Sequence, residues 1–286
     1  MPSASPTTHP APAPANRYAL AAAAVRAYEA RKVASIFRPL AEATMAAIKI
    51  NANDDVLDVA CGTVIIARTI RRQFAHSIRL TGVDLNDQMV VAARNLTRQL
   101  PGRFDWTVAD VARMPFAARR FTHCFCQQGI QYFPDEAVAL AEIGRVLADR
   151  GMLVHTVWSA PNDYFLAQSA ALTKHVDAET GQKALAPFTY SGIDQLPDWL
   201  QQAGFGNIAT GAISITRVIT DAVNGIAEDI AGSPLEAAVS ARGPAALAAV
   251  CRDILTDCAG YMREGNLIIE QHAHLITATT NDRHVR

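Results

Sequence analysis

The segment that most constrains this chain is DVLDVACGTVIIAR at positions 55–68. An apolar run, Val56-Leu57-Asp58-Val59, meets the small-residue turn Ala60-Cys61-Gly62-Thr63 and then a helical pattern. A buried strand that feeds a tight loop and then a helix is the simplest structure for such a run. The start of that helix presents unpaired backbone N–H groups and a positive dipole end, so the loop suits a bound nucleotide or carboxylate. Ala60 and Gly62 let the backbone approach a ligand closely, and Thr63 is placed to cap the helix.

Strand and helix patterns alternate beyond this unit. Strands are expected over 55–59, 78–84, 104–108, 121–127 and 151–158, with helices over 63–74, 86–100 and 134–147 between them. This rhythm predicts an α/β fold, a mostly parallel sheet with helices on both faces. Upstream, 18–48 reads as alanine-rich helix that Pro39 should break or restart. Downstream, helices are expected over 163–176 and 193–203, the second ending at Gly204. Two long strands follow, over 207–218 and 267–279, with an apolar helical stretch of about 222–262 between them. A connection of that length is too long for an idle loop and reads as a helical cap, set at about 221–263.

In an open α/β sheet, ligands sit at the carboxyl ends of the strands. Asp84 ends the run TGVD, where a carboxylate can accept two ribose hydroxyls. Asp110 follows strand 3 in VAD, where it can accept from an adenine amino group, with the Val111 N–H open to a ring nitrogen. Gln127-Gln128-Gly129 follows strand 4, where the reactive end of such a cofactor belongs. These loops, with ADVARMPFAARRFTHCFCQQGIQYFPD at 109–135, resemble the class I S-adenosylmethionine (SAM) dependent methyltransferases, in the ubiquinone/menaquinone C-methyltransferase-like (methyltransferase type 11) branch. The resemblance covers about 28–158 well and the rest in outline.

It implies a Rossmann-like seven-stranded sheet with the last strand antiparallel, and SAM as cofactor. By the same resemblance, Asp84 holds the ribose, Asp110 and Val111 the adenine, and Ala60, Gly62 and Thr63 the methionine portion. Asp58 supports the loop or the cofactor's ammonium group, Leu85, Met89 and Gln127 line the cofactor site, and Tyr28 and Phe37 shield it on a preceding helix. On the acceptor side, Gln128 and Gln131 are expected to orient a polar group, and Tyr132 and Trp158 to wall an aromatic or heterocyclic one. No catalytic base is identified, because in-line transfer from a sulfonium depends mainly on alignment and exclusion of water. One departure stands out. The glycine that ends this loop in the family is Val64 here, a β-branched residue that crowds the turn.

Composition narrows the function classes. The net charge is -1 with 50% hydrophobic residues, which disfavours a nucleic-acid or membrane surface. The five cysteines sit in apolar segments without zinc spacing, so buried thiols in a reducing cytoplasm and no metal are expected. Positions 1–16, rich in Pro, Ala and Ser, read as a disordered tail ahead of one domain over 17–286. His123 and His155 are expected as core residues, while His175, His272 and His274 could reach the pocket from the cap. The reading is a methyltransferase acting on a small molecule of secondary metabolism, as a monomer or homodimer. A fold-sharing cyclase, eliminase or binding protein is the alternative, with an NAD-dependent dehydrogenase behind it. The last lacks Gly-x-Gly-x-x-Gly spacing.

Overall fold

The computed structural model describes residues 22–74, 77–231 and 233–282; the expected tail at 1–16 lies outside them. Five parallel strands come first: β1 Asp55–Val59, β2 Arg79–Asp84, β3 Arg103–Val108, β4 Phe121–Gln127 and β5 Leu147–Trp158. Two 15-residue strands, β6 Phe205–Ile219 and β8 Asn266–Thr280, form a long antiparallel hairpin. The sheet runs β3-β2-β1-β4-β5-β8-β6, and the two-residue β7, Met262–Arg263, pairs with β8 off this path. Only β8 opposes β5 within the main path. All five residues of β1 are buried, as a strand covered by helices on both faces must be.

Helices α3 (Ile65–Gln73), α4 (Asp87–Thr97) and α5 (Glu136–Val146) make the crossovers. Asn86 and Asp135 cap the second and third of these through side-chain oxygens, which satisfies amides that the helix itself leaves free. Helices α6 (Asp163–His175), α7 (Ala178–Leu185) and α8 (Leu196–Gln202) follow β5. The cap between β6 and β8 holds α9 (Ala222–Ala231), α10 (Glu236–Ala241) and α11 (Pro244–Asp257). Its apolar faces share a core with α6, in which Tyr164, Leu172, Ile226, Val250 and Ile254 are buried. Among the described residues, no helix is long and apolar enough to cross a membrane, and no group of three metal-ligating side chains occurs.

The N-terminal segment bears out the restart at Pro39 and adds a feature that the sequence does not predict: α1 (Ala22–Tyr28) passes into a nine-residue π-helix, Glu29–Phe37, and then into α2 (Arg38–Ala47), where Pro39 sits in the first turn. A proline is tolerated there because its missing N–H falls where the hydrogen-bond ladder changes register. A π-helix this long is unusual, and π segments recur at functional sites.

Candidate active site at the carboxyl ends of the central strands

The loop after β1 takes a left-handed backbone three times, at Ala60 (φ 52), Gly62 (φ 52) and Val64 (φ 58). Glycine adopts this region freely; a β-branched residue there is strained by about 1–3 kcal/mol. The departure at Val64 therefore leaves the turn's backbone shape intact. Its side chain is fully buried among Val33, Ala41, Met45 and Ile66, so packing against the N-terminal helices offsets the strain. The loop is pinned by two backbone bonds, Val64 N–H to Cys61 O at 2.7 Å and Cys61 N–H to Val83 O at 3.0 Å.

Thr63 does not cap the helix as expected. Val64 is the N-cap residue and makes no side-chain cap bond, because α3 starts at Ile65, one residue later than a Thr63 cap requires. The buried Thr63 hydroxyl has no hydrogen-bond partner. Two more oxygens share that condition, Asp58 Oδ2 and Gln127 Oε1. All three side chains line one cavity of about 30 Å³ with Ala60 and Gly62, closed over by Tyr28 and Phe37. Burial pushes the Asp58 carboxyl well above its usual range, nearby Asp84 adds to the rise, and the Ala67 amide at the start of α3 opposes it.

Asp84 is placed beside this cavity. Its Oδ2 accepts from Gly62 N–H and its Oδ1 from Asn86 N–H, both at 2.8 Å. A carboxylate has about four lone-pair sites, so two remain for a ligand. Burial raises its pKa, against the Asn86, Gly62 and Leu85 amides that lower it. Ala109 N–H bonds Asp84 O at 3.1 Å, which ties the loop carrying Asp110 to the end of β2. Asp110 is exposed and accepts from Ala112 N–H at 2.9 Å, while Val111 is buried. Leu85 is 43% exposed beside them and Met89 is buried.

The lid is fastened on several sides. Arg68 of α3 pairs with Glu29 at 2.7 Å, and Gln127 Nε2 donates to Phe37 O at 3.1 Å. Tyr28 and Phe37 stand 5.4 Å apart, and Phe37 and Trp158 6.3 Å apart, an aromatic run leading from the cavity toward the hairpin. Burial, followed by Asp84 and Tyr132, drives the Tyr28 phenol pKa upward, so it stays neutral.

Gln128 takes φ 57, and its Oε1 accepts from Trp158 N–H at 2.9 Å and Gln131 Nε2 at 3.2 Å. This bridge fixes Trp158. Tyr132 is 41% exposed. His155 is buried, bonds Cys126 O through Nδ1 at 2.8 Å, and burial lowers its pKa to about 4. His175 pairs with Asp253 at 2.8 Å on the cap. All five cysteines are buried free thiols.

One cavity thus gathers Tyr28, Asp58, Ala60, Gly62, Thr63 and Gln127, with Asp84 joined to it through Gly62. Asp110, Val111, Leu85 and Met89 lie outside its lining. Sequence reasoning missed Arg217, Lys32 and Asp229, a buried charge cluster on the far side of the lid. The strand alternation Ile213, Ile215, Arg217, Ile219 carried a signal for the first, since it sets an arginine on the apolar face.

The model of a family described as "Methyltransferase domain" matches residues 56–151. Over 108 residues the chain is 34% identical to the ubiquinone/menaquinone biosynthesis C-methyltransferase UbiE of Geobacter sulfurreducens, covering 37% of this chain and 42% of that one. The chain thus spans less than half the length of that relative. The phosphoethanolamine N-methyltransferase 2 of Haemonchus contortus, solved with S-adenosyl-L-methionine, aligns at TM-score 0.58 and 16% identity, over 93% of this chain and 58% of that one. The [4+2]-cyclase SpnF aligns at TM-score 0.54 and 20% identity, over 85% and 81%. These two likenesses establish the shared fold. Strand order and the family match agree: residues 56–151 match a methyltransferase domain, and over this stretch the chain is similar to the ubiquinone/menaquinone C-methyltransferases.

Proposed function

We propose that the whole chain is a SAM-dependent methyltransferase whose acceptor is a small molecule with an aromatic or heterocyclic body. The observation that carries this reading is the set of three buried oxygens without partners, on Asp58, Thr63 and Gln127, that line a single cavity. Leaving such acceptors dry is costly, and an α-ammonium group supplies three donors and a positive charge to relieve them. The cofactor's ammonium group thus suits the acceptors present in kind. At about 30 Å³ the closed cavity is far below the roughly 300–1,000 Å³ of a ligand site, so Tyr28 and Phe37 must swing aside on loading.

When bound, SAM supplies a methyl group already activated on a sulfonium. The chain's own residues do the rest. In this reading Asp58, Gln127 and the loop amides hold the amino-acid end, Asp84 the ribose, and Asp110 with the Val111 amide the adenine. Leu85 and Met89 flank that cleft. Tyr28, Phe37 and Trp158 exclude water, and aromatic faces favour a neighbouring cation. Gln128, Gln131 and Tyr132 face the acceptor side, with no group assigned as a base. Orientation in a dry site then accounts for most of the barrier lowering.

The quinone chemistry named for the Geobacter relative belongs to that protein. Here the helical cap at about 221–263, part of one unit with 17–286, favours an enclosed secondary metabolite. The non-transferring alternative rests on Val64, and the left-handed φ of 58 that Val64 takes, as a glycine would, favours the transferring reading. Calorimetry with SAM and with NAD tests the cofactor: micromolar binding of SAM alone is expected. Formation of S-adenosylhomocysteine with an acceptor panel tests transfer, and its absence across aromatic acceptors despite SAM binding would return the cyclase reading.

A further inference from the structure

A second polar cluster is buried where the π-helix, the β6–β8 hairpin and helices α6 and α9 meet. At its centre the Arg217 side chain is 0% exposed, held between the rings of Tyr164 and Phe165 at 4.6 and 5.1 Å. Its Nη2 lies 2.9 Å from Asp229 Oδ2 as an ion pair, yet Nε and Nη1 have no hydrogen-bond partner. Asp229 is already shared. Its Oδ1 takes Lys32 at 2.5 Å, and its Oδ2 also accepts the Tyr164 hydroxyl at 2.9 Å. Two cationic side chains therefore divide one carboxylate.

Gln271 adds to the imbalance. Arg217 pairs with Ile269 across the hairpin and Ile215 with Gln271, which puts Arg217 and Gln271 on one face, a diagonal step apart. The Gln271 Oε1 accepts from Asn162 at 2.8 Å, and its buried Nε2 has no partner. Every orphan in this cluster is thus an N–H donor. A groove of about 360 Å³ between the π-helix residue Ser35 and the strand residue Thr216 is lined by Arg217 and Asp229, with the Arg217 side chain fully buried beneath it and Gln271 outside its lining. A buried cation that shares its one carboxylate with a second cation and keeps idle donors is costly, and an anion relieves it.

We propose that this cluster is an oxyanion site that holds the acidic group of the methyl acceptor, with the Arg217 guanidinium and the Gln271 amide as donors. The acceptor class is then a small carboxylate or phosphate ester with an apolar body. That body lies along Trp158, Ile213 and Ile215, which pack in one cluster with Phe37 between the two polar pockets. Planar guanidinium suits both oxyanions, since each offers two oxygens to its fork. This inference rests on the methyl-transfer reading, and its test is kept separate from SAM binding.

The probes are benzoate, its uncharged isostere benzamide, and inorganic phosphate, titrated into the full chain with and without S-adenosylhomocysteine and followed by thermal shift and calorimetry. Benzoate is expected to bind at least tenfold more tightly than benzamide. Gln271→Leu should cut that preference about threefold, and Arg217→Lys, which keeps charge but loses the fork, should abolish it. Equal binding of benzoate and benzamide by the native chain, or an unchanged preference in folded Gln271→Leu, overturns the proposal. Anion binding that Arg217→Lys and Gln271→Leu both leave unchanged also overturns it, by placing the anion elsewhere on the chain. Benzoate discrimination in a chain that binds no SAM would instead sink the methyl-transfer reading and leave the anion site standing.

Discussion

The two polar pockets flanking the aromatic run are opposites. Around the β1 loop the unsatisfied buried atoms are oxygens, on Asp58, Thr63 and Gln127; around the hairpin they are nitrogens, on Arg217 and Gln271. An acceptor-rich cavity favours a cation and a donor-rich one an anion, so the molecule is built to receive opposite charges at its two ends. The loop pocket is set by backbone geometry, three left-handed residues in a row of five, and the hairpin pocket by side chains alone.

The most forceful way to break this comparison is Asp229→Asn. Removing one partner of a buried ion pair costs about 3–5 kcal/mol, because Arg217 and Lys32 are left facing each other. Urea unfolding should show that loss, and a change below 1 kcal/mol would mean that water already compensates the cluster. The paired cations hold the Asp229 carboxyl well below the usual carboxylate range, despite its burial. Its contribution is therefore complete above the ordinary carboxylate pKa of about 4 and is lost as pH falls through the lower folded-state value.

Next in size is Asp84→Ala, which removes the acceptor for Gly62 and Asn86 amides together with the ribose anchor. Calorimetry should show SAM affinity lowered at least 100-fold, about 2.7 kcal/mol or more. Unchanged affinity would remove the ribose assignment.

Asp58→Asn sharpens the contrast further, since stability and binding should move apart. Burial raises the Asp58 pKa in the folded chain, so native stability declines as pH rises from about 4 toward that raised value. The variant lacks this decline and should be as stable at pH 7 or more so, while SAM affinity drops about tenfold, or 1.4 kcal/mol. In the native chain an ammonium ligand favours the ionised carboxylate, so binding should release protons and tighten with pH. Calorimetry in two buffers of different ionisation heat reads that release.

Val64→Gly has the smallest effect. It relieves about 1–2 kcal/mol of left-handed strain but forfeits about 1.5–3 kcal/mol of apolar burial. A net loss near 1 kcal/mol in unfolding experiments, with SAM affinity within about threefold, is expected. A large gain in affinity would show that the valine distorts the cofactor loop after all.

The same division governs what the sequence reveals. The buried parallel strands read as short apolar runs, so 55–59 and 121–127 match β1 and β4 residue for residue. The loop ends followed, because Asp58, Gly62 and Asp84 sit at fixed offsets from those runs. Composition does not distinguish π from α winding, so Pro39 marks the restart at α2 but nothing marks the π-helix before it. Helix α7, eight residues long, carried too short a pattern to register. The hairpin site was hidden for another reason. Arg217 and Asp229 sit on the consecutive elements β6 and α9, but Lys32 is 197 residues from Asp229, and only the folding of cap onto lid brings it to them.

That meeting has a thermodynamic consequence. The π-helix grips α3 through Glu29 and α9 through Lys32, three residues apart on one rod. Both contacts fall within the first four residues of one helix, so a displacement of that segment on filling one chamber would act on the other. Linkage makes such communication reciprocal: whatever factor the acceptor adds to the donor's grip, the donor returns to the acceptor.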